Sequence, residues 1–297
     1  MSTIRTAIIP ALSRPAAYLA LTKPDVSFLV VLTTAAGFYL GSRGPLDLLR
    51  LAHTVFGTAL VAAGTSALNH YFERASDARM RRTAARPLPS GVLQPAEALR
   101  FGAGLVAAGT IYLALAAGAL ASLLALATCV SYLAAYTPLK KRTTLATLVG
   151  AFPGAVPPLI GWAAARGSLS LEAWILYAIL FLWQFPHFLA IAWMYREDYS
   201  RAGIRMLPVV DRSGAATFRQ ILLTALALLP VSLLPAVVGL AGVRYLFGAL
   251  VLGLGLVQVC LWAARSKSNV RAKWLMHATV LHLPLLLGLM VFDKVGR

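Results

Sequence analysis

The chain has 297 residues, of which 59% are hydrophobic and only 12% are charged. A soluble domain of this length carries about 25% charged residues, so the composition excludes an ordinary soluble protein. The net charge of +17 falls mainly between apolar runs, where basic residues orient loops and meet anionic lipid headgroups. We therefore expect the lipid bilayer, and no nucleic acid, as the partner of these charges.

Residues 1–25 contain three basic residues, and three prolines interrupt any apolar stretch. This pattern lacks the features of a cleaved signal and predicts a cytoplasmic, interfacial segment. Residues 26–292 are predicted to form one all-α transmembrane domain of nine spans. Each span has about 20 residues, the length that crosses roughly 30 Å of hydrocarbon. The spans are predicted at residues 26–40, 51–71, 98–117, 119–136, 145–164, 171–193, 221–240, 245–262 and 274–292.

Two irregularities are expected within these spans. The third and fourth belong to one apolar run that is too long for a single crossing, so we expect the chain to fold back at Gly118. A group of Gly and Pro residues at 150–161 predicts a distorted fifth span, which is tolerated where backbone lines a cavity. Cys129 and Cys260 lie in apolar runs without metal-ligand spacing, and we expect both to be buried thiols.

The charges are distributed unequally between the two membrane faces. With nine spans, 21 of the 27 Lys and Arg residues fall on the side of the N-terminus. The positive-inside rule then makes the N-terminus and the loops that start near residues 72, 137, 194 and 263 cytoplasmic, with a bacterial inner membrane as the simplest location. Most acidic residues lie on the same side, although orientation does not need them. This face is therefore predicted to hold a polar site.

The first candidate site follows the second span. Asn69, Glu73 and Asp77 are spaced i, i+4 and i+8, which places them in a slanted stripe on one face of a helix. Oxygen ligands at a membrane boundary suit Mg²⁺, which binds one or two carboxylates and completes its shell with water and substrate phosphates. The sequence therefore predicts a magnesium site.

Basic residues follow this stripe directly. Guanidinium groups bind phosphate oxygens in bidentate fashion, so carboxylates beside arginines suit a metal–diphosphate complex. The alternative is i, i+4 ion pairing at a frayed helix end, combined with the topological charge of a cytoplasmic loop. The arginines are Arg79, Arg81, Arg82 and Arg86.

Residues 69–91, 136–162 and 183–208 resemble motifs of the UbiA superfamily of intramembrane prenyltransferases. Glu73 replaces the Asp that is usual in quinone-pathway members, and the third segment resembles the haem O synthase branch closely. The resemblance implies nine helices around a central cavity with a cytoplasmic polar mouth. It also implies that the farnesyl group of farnesyl diphosphate is transferred to a vinyl group of haem b, giving haem O. Haem A synthase or terminal oxidase assembly factors would be the protein partners.

The resemblance also implies roles for individual residues. Asn69, Glu73, Asp77 and Asp198 would be catalytic, and the last three would bind Mg²⁺. Quinone-type relatives carry another Asp four residues after the first, but this chain has Ala202, so the second half of the metal site would depend on Asp198. A second basic loop would close over the diphosphate. It contains Lys140, Lys141 and Arg142, for which plain topological charge is the alternative.

Trp183, Gln184 and His187 form the candidate haem-binding group. His187 precedes Asp198 by 11 residues. On one continuous helix the two residues would lie about 16 Å apart and on nearly the same face. A kink at Pro186 could turn His187 away from that face. An intramembrane histidine is a functional candidate: haem contact, a catalytic base and a structural hydrogen bond remain open. His282 is a weaker candidate of the same kind. For His53, His70 and His277, near span ends, solvation at the interface is the expected role.

Two other functions remain as alternatives. The first is a prenyltransferase of the same fold that acts on a quinone precursor, against which Ala202 and the Trp183–His187 group argue. The second is an organic-anion transporter. Transporters bind their substrates near the bilayer midplane, whereas the charges of this chain gather at one face.

Overall fold

The apolar runs fold into helices that end where Pro, Gly or charged residues follow. The computed structural model describes residues 12–295, so the predicted interfacial role of residues 1–11 lies outside the described residues. Between residues 12 and 295 the chain is helical, and one isolated β-bridge joins Ala241 and Lys294. Nine helical segments of this range are long and apolar enough to cross a membrane, which confirms the all-α, nine-span prediction.

The spanning segments follow the chain in order. They are α2 (Pro24–Gly41), α3 (Leu48–Asp77), α4 (Pro95–Ala116), α5 (Ala119–Ser131) with a π-helical turn (Tyr132–Tyr136) and α6 (Thr137–Leu139), α7 (Ala146–Gly154) with α8 (Pro157–Arg166), α9 (Leu171–Met194), α12 (Ala215–Val237), α13 (Val243–Ser266) and α14 (Asn269–Phe292). Three short helices lie outside the spans: α1 (Arg14–Leu21), α10 (Arg196–Arg201) and α11 (Leu207–Val210).

The predicted hairpin at Gly118 is confirmed. Gly118 has a φ of +108° and precedes the first residue of α5, a backbone conformation that glycine adopts without steric cost. The hydroxyl of Ser122 donates a hydrogen bond of 2.7 Å to the carbonyl of Thr110. This bond ties the start of α5 to the end of α4.

The fifth span is broken, as the Gly and Pro residues predict. Helix α7 ends at Gly154 and α8 begins at Pro157, because proline lacks the N–H that would continue the helical ladder. The side-chain amide of Gln184 donates to the carbonyl of Ala151 at 3.2 Å. The Ala151 carbonyl also accepts from the backbone N–H of Ala155 at 3.1 Å, so Gln184 adds a second hydrogen bond, from the neighbouring helix α9, beside the break.

Helices α2 and α8 pack with their backbones in contact. A Cβ atom built on Gly161 would lie 1.9 Å from the carbonyl oxygen of Thr34, and one on Gly37 would lie 2.2 Å from that of Pro158. Small residues allow this approach, and van der Waals packing is a main source of helix association in lipid. These two glycines therefore fix the position of the first span against the fifth.

The described part of the N-terminal segment packs against the protein. Ala17 and Leu21 of α1 are fully buried against a cluster that includes Ala67 and Leu88. Helix α1 thus covers the end of α3 that carries the acidic stripe. The predicted thiols Cys129 and Cys260 are both buried and free, which confirms that expectation.

Candidate active site

A central cavity of about 280 Å³ lies between α2, α3, α5, the broken fifth span and α9. Lys23 and Tyr136 line one end of it, and Thr58 and Ile160 line the other. Thr58 precedes Asn69 by 11 residues, about 16 Å along α3. The cavity is therefore a deep, mostly apolar chamber, and Lys23 at one end is the one charged residue among its described lining residues.

The acidic stripe lies on a single helix at this charged end. Helix α3 continues to Asp77, six residues beyond the predicted span, so Glu73 and Asp77 are helical rather than part of a loop. Asn69 and Asp77 are each 1% exposed. The spacing that predicted a common helix face is confirmed.

Glu73 and Asp77 each hold a basic side chain. Lys140 donates to Oε1 of Glu73 at 2.7 Å, and Arg86 donates to Oδ2 of Asp77 at 2.8 Å. Burial opposes the charged form of Lys140, but the neighbouring Tyr136 and Glu73 outweigh it and raise the pKa of Lys140 well above its usual value. Lys140 therefore carries a positive charge beside the cavity while it is paired with Glu73.

Asp198 joins the two polar segments. Its carboxylate accepts hydrogen bonds from the backbone N–H groups of Arg81 at 3.2 Å and Arg82 at 3.4 Å, and it pairs with Arg201. The guanidinium of Arg82 stacks over the ring of Tyr195 at 4.7 Å. The segment after α3 is thereby fixed against α10.

Lys23 belongs to the site but was missed by the sequence reasoning. Its Nζ donates to the side-chain oxygen of Asn69 at 3.0 Å, and it lines the cavity. Its backbone is left-handed, with a φ of +47°, a conformation that costs energy in a non-glycine residue. Burial, assisted by the positive charge of Arg86, lowers the pKa of Lys23 to about 7. The only sequence signal was a lysine directly before Pro24 at the start of an apolar run.

Two tyrosines of the π-helical turn form the wall beside Lys140. The rings of Tyr132 and Tyr136 lie 4.9 Å apart, and Nζ of Lys140 lies 4.3 Å from the centre of the Tyr136 ring. Both tyrosines line the cavity. A π-helical turn is common at functional sites, and here it presents two aromatic faces to the charged end of the chamber.

The structure separates the seven basic residues that were predicted to bind diphosphate. Arg86 and Lys140 pair with the carboxylates of the stripe. Arg79 and Arg81 are exposed, as is Arg82, which packs on Tyr195. Lys141 and Arg142 line a second cavity, together with Lys140 and Glu73.

The candidate haem-binding residues are also separated. Trp183 and Gln184 line the central cavity. His187 is stacked on Trp183, with ring centres 5.0 Å apart, and its Nδ1 shares a 2.8 Å hydrogen bond with the hydroxyl of Thr279 in α14. His187 is not part of the cavity lining, so the geometry favours its structural alternative.

Two further expectations about α9 and the histidines are wrong. Helix α9 ends at Met194, and Tyr195 has a non-helical ψ of 20° before α10 begins. His187 and Asp198 therefore do not lie on one continuous helix, and their predicted common face does not hold.

His70 is 3% exposed, and within the described range neither ring nitrogen has a hydrogen-bond partner. It is not solvated at the interface, because α3 extends beyond it and α1 packs on the neighbouring turn.

The residues of the stripe fit a magnesium ion in their chemistry. The second carboxylate oxygen of Asp77, Oδ1, is buried without a hydrogen-bond partner, and an orphaned buried oxygen is costly unless a cation or donor satisfies it. Among the described residues, no three His, Cys, Asp or Glu side chains are grouped closely enough to form a metal site by themselves. Mg²⁺ needs only one or two carboxylates when phosphate and water supply its other ligands.

Comparison with known proteins gives a consistent result. The model of the UbiA prenyltransferase family matches residues 30–282. The chain is 50% identical to the protoheme IX farnesyltransferase of Solibacter usitatus over 288 residues, covering 94% of this chain and 99% of that protein. It is 46% identical to the protoheme IX farnesyltransferase of Koribacter versatilis, covering 93% of each.

Solved structures show the same fold at low sequence identity. A structure of digeranylgeranylglyceryl phosphate synthase has a TM-score of 0.77 at 18% identity, covering 93% of this chain and 97% of that one. A UbiA homologue from Archaeoglobus fulgidus bound to DMAPP and Mg²⁺ has a TM-score of 0.66 at 15% identity, with coverage of 92% and 98%. The fold expected from the resemblance is confirmed, and the chain is a multi-pass membrane protein.

Proposed function

We propose that this chain, which belongs to the UbiA prenyltransferase family, transfers the farnesyl group of farnesyl diphosphate to a vinyl group of haem b and so makes haem O. The names of relatives at 50% and 46% identity support this choice of substrates. The observation that carries it is a deep apolar chamber whose Lys23 end lies beside the carboxylates and cations of the stripe. This arrangement suits a substrate with a charged head and a long hydrocarbon tail.

Magnesium would be held by Glu73 and Asp77, with Asp198 contributing from the second polar segment. When bound, the ion supplies positive charge that stabilises the departing diphosphate. Each of these carboxylates now holds a basic side chain: Lys140, Arg86 and Arg201. A carboxylate that turns to the metal releases its basic partner, which is then free to bind a phosphate oxygen. Lys23 adds a further hydrogen-bond donor at the same end.

The chamber protects the reacting carbon. Cleavage of the C–O bond leaves an allylic cation on the farnesyl group, which water would capture in an open site. The rings of Tyr132 and Tyr136 lie at this end, and aromatic faces stabilise cations. Attack by the vinyl group forms the new C–C bond, and addition of water to the resulting cation, with loss of a proton, gives the hydroxyl of haem O.

Trp183 and Gln184 are the residues that we assign to the acceptor, because both line the chamber. His187 supports them indirectly: the indole N–H of Trp183 donates to the carbonyl of Thr279 at 2.8 Å, beside the His187 bond. We thus give His187 a positioning role rather than a haem contact.

The test is a reaction with defined substrates. Membranes containing the protein should convert haem b and farnesyl diphosphate to haem O and diphosphate in the presence of Mg²⁺, as measured by mass spectrometry. Prenylation of a quinone precursor instead of haem b would show the first alternative to be right. Uptake of an anion without release of diphosphate would identify a transporter.

We also propose that the charged end of the chamber faces the cytoplasm of a bacterial cell, with the protein in the inner membrane. The loop after α3 contains exposed Ser90, and the connection between α8 and α9 contains exposed Ser168. A Ser90→Cys variant should resist an impermeant thiol reagent added from outside, whereas Ser168→Cys should react. The two native cysteines are buried, so background labelling should be low. Labelling at Ser90→Cys alone would reverse the orientation.

A further inference from the structure

A second cavity of about 420 Å³ lies beside the charged end of the central chamber. It is formed between the end of α3 and the segment that follows the π-helical turn. Phe72, Leu133 and Ile204 provide apolar walls, and Lys141 and Arg142 provide basic groups. The cavity therefore combines an apolar surface with two positive charges.

The ion pair between Glu73 and Lys140 separates this cavity from the chamber. Both residues line the second cavity, while Tyr136, which lies against Lys140, lines the central one. Asn69 strengthens the same wall, since its side-chain amide donates to the hydroxyl of Thr137 at 3.4 Å. The two cavities are thus neighbours that share a polar partition.

Lys141 and Arg142 differ from the other cations at this end of the molecule. Lys23, Arg86, Lys140 and Arg201 each hold a polar side chain. The side chains of Lys141 and Arg142 are exposed and make no hydrogen bond or ion pair with any residue of the described range. Of all these cations only Lys23 lines the central chamber, and Lys140 lines the second cavity together with Lys141 and Arg142. Two adjacent cations therefore face a cavity without an anionic partner for either.

We propose that the second cavity binds the acceptor by its two carboxylates, with Lys141 and Arg142 pairing with the propionate groups of haem b. The inference rests on the proposed function, and it gives the acceptor a place of its own beside the diphosphate. The apolar walls contact the edge of the porphyrin that carries the propionates. The opposite, vinyl-bearing part of the ring is directed past the Glu73–Lys140 pair towards the chamber. The propionates bind Lys141 and Arg142, whereas Lys140, which lines the same cavity, is released by Glu73 to the diphosphate.

The double variant Lys141→Gln/Arg142→Gln tests this assignment. We expect the KM for haem b to rise by at least about tenfold, the loss of a single charge-assisted pair, and the KM for farnesyl diphosphate to stay unchanged. Haem b dimethyl ester, in which both carboxylates are blocked, should be a similarly poor acceptor for the unmodified protein. The double variant should no longer distinguish haem b from its ester.

A matched control removes the same charge elsewhere. Arg100 and Lys273 are exposed basic residues that line neither cavity, so the double variant Arg100→Gln/Lys273→Gln should keep both KM values.

A rise in the KM for farnesyl diphosphate in the Lys141/Arg142 variant would assign the cavity to diphosphate and overturn the proposal. Equal use of haem b and its ester by the unmodified protein would also overturn it. If that protein makes no haem O from haem b, the proposed function itself fails, before any variant is compared.

Discussion

Asp77→Asn should abolish product formation while the protein remains folded in the membrane. The substitution preserves the shape of a side chain that is 1% exposed. It removes the negative charge of the carboxylate that we propose as a magnesium ligand. Groups that stabilise charge in a transition state typically contribute about 10²- to 10³-fold to the rate, and loss of the metal should exceed this. Glu73→Gln should behave in the same way. The measurement is haem O formed per unit of membrane protein at saturating Mg²⁺.

Asp211→Asn is a matched control for this experiment. Asp211 lies on the same predicted face, and its carboxylate accepts a 2.8 Å hydrogen bond from the backbone N–H of Thr217. Burial acts against the charged form, but hydrogen bonds from Thr217 and Ser213 lower the pKa of Asp211. It has no part in the acidic stripe, so its substitution should preserve activity. Turnover near the normal level in Asp77→Asn would refute the metal assignment.

Gly161→Val should prevent accumulation of the folded protein. Even the Cβ atom of the new side chain would lie 1.9 Å from the carbonyl oxygen of Thr34 and 2.6 Å from the backbone nitrogen of Phe38, and backbone atoms cannot move aside as a flexible side chain can. Overpacking in a tight interior costs about 1–3 kcal/mol, and a clash with backbone should reach or exceed the upper value. The yield and thermal unfolding midpoint in detergent should both fall.

Gly255→Ala provides the corresponding control. Gly255 lies in α13, and a Cβ atom built there meets no atom within 4 Å. Alanine is favoured over glycine inside a helix by roughly 1 kcal/mol, so this variant should unfold at an equal or slightly higher temperature. A Gly161→Val protein with normal yield and an unchanged unfolding midpoint would mean that the contact between α2 and α8 is not a main support of the fold.

The fold was largely predictable because lipid restricts the chain to a small choice of structures. Runs of about 20 apolar residues must form helices that satisfy their own backbone groups, so the span count and the turn at Gly118 follow from hydrophobicity and glycine alone. The acidic stripe was also predictable, because i, i+4, i+8 spacing is a local property of one helix. Its extension to Asp77 adds charged residues to a helix that hydropathy would have ended earlier.

The contacts within the site were not predictable, because they join distant parts of the sequence. Nothing near Lys23 indicates that its amine reaches Asn69, which lies 46 positions later. The bond between Asp198 and the backbone of Arg81 spans 117 positions. Neighbours in sequence also differ: Lys140 and Lys141 both line the second cavity, but within the described residues only Lys140 forms an ion pair, with Glu73. Only the packing of the helices decides these partners.

The π-helical turn at Tyr132–Tyr136 has a consequence for insertions and deletions. Such a turn holds one residue more than the α-helix that it interrupts, so removal of one residue there would restore a regular helix and preserve its hydrophobicity. Because the wide turn absorbs its extra residue, the helix after it would keep its orientation and Lys140 would stay near Glu73, whereas the rings of Tyr132 and Tyr136 would lose their present placement. Hydropathy would register no change, yet the two aromatic rings that line the charged end of the chamber would be displaced. Chimaeras between relatives should therefore join their sequences outside this turn, and a one-residue alignment gap within it marks a change of active-site geometry.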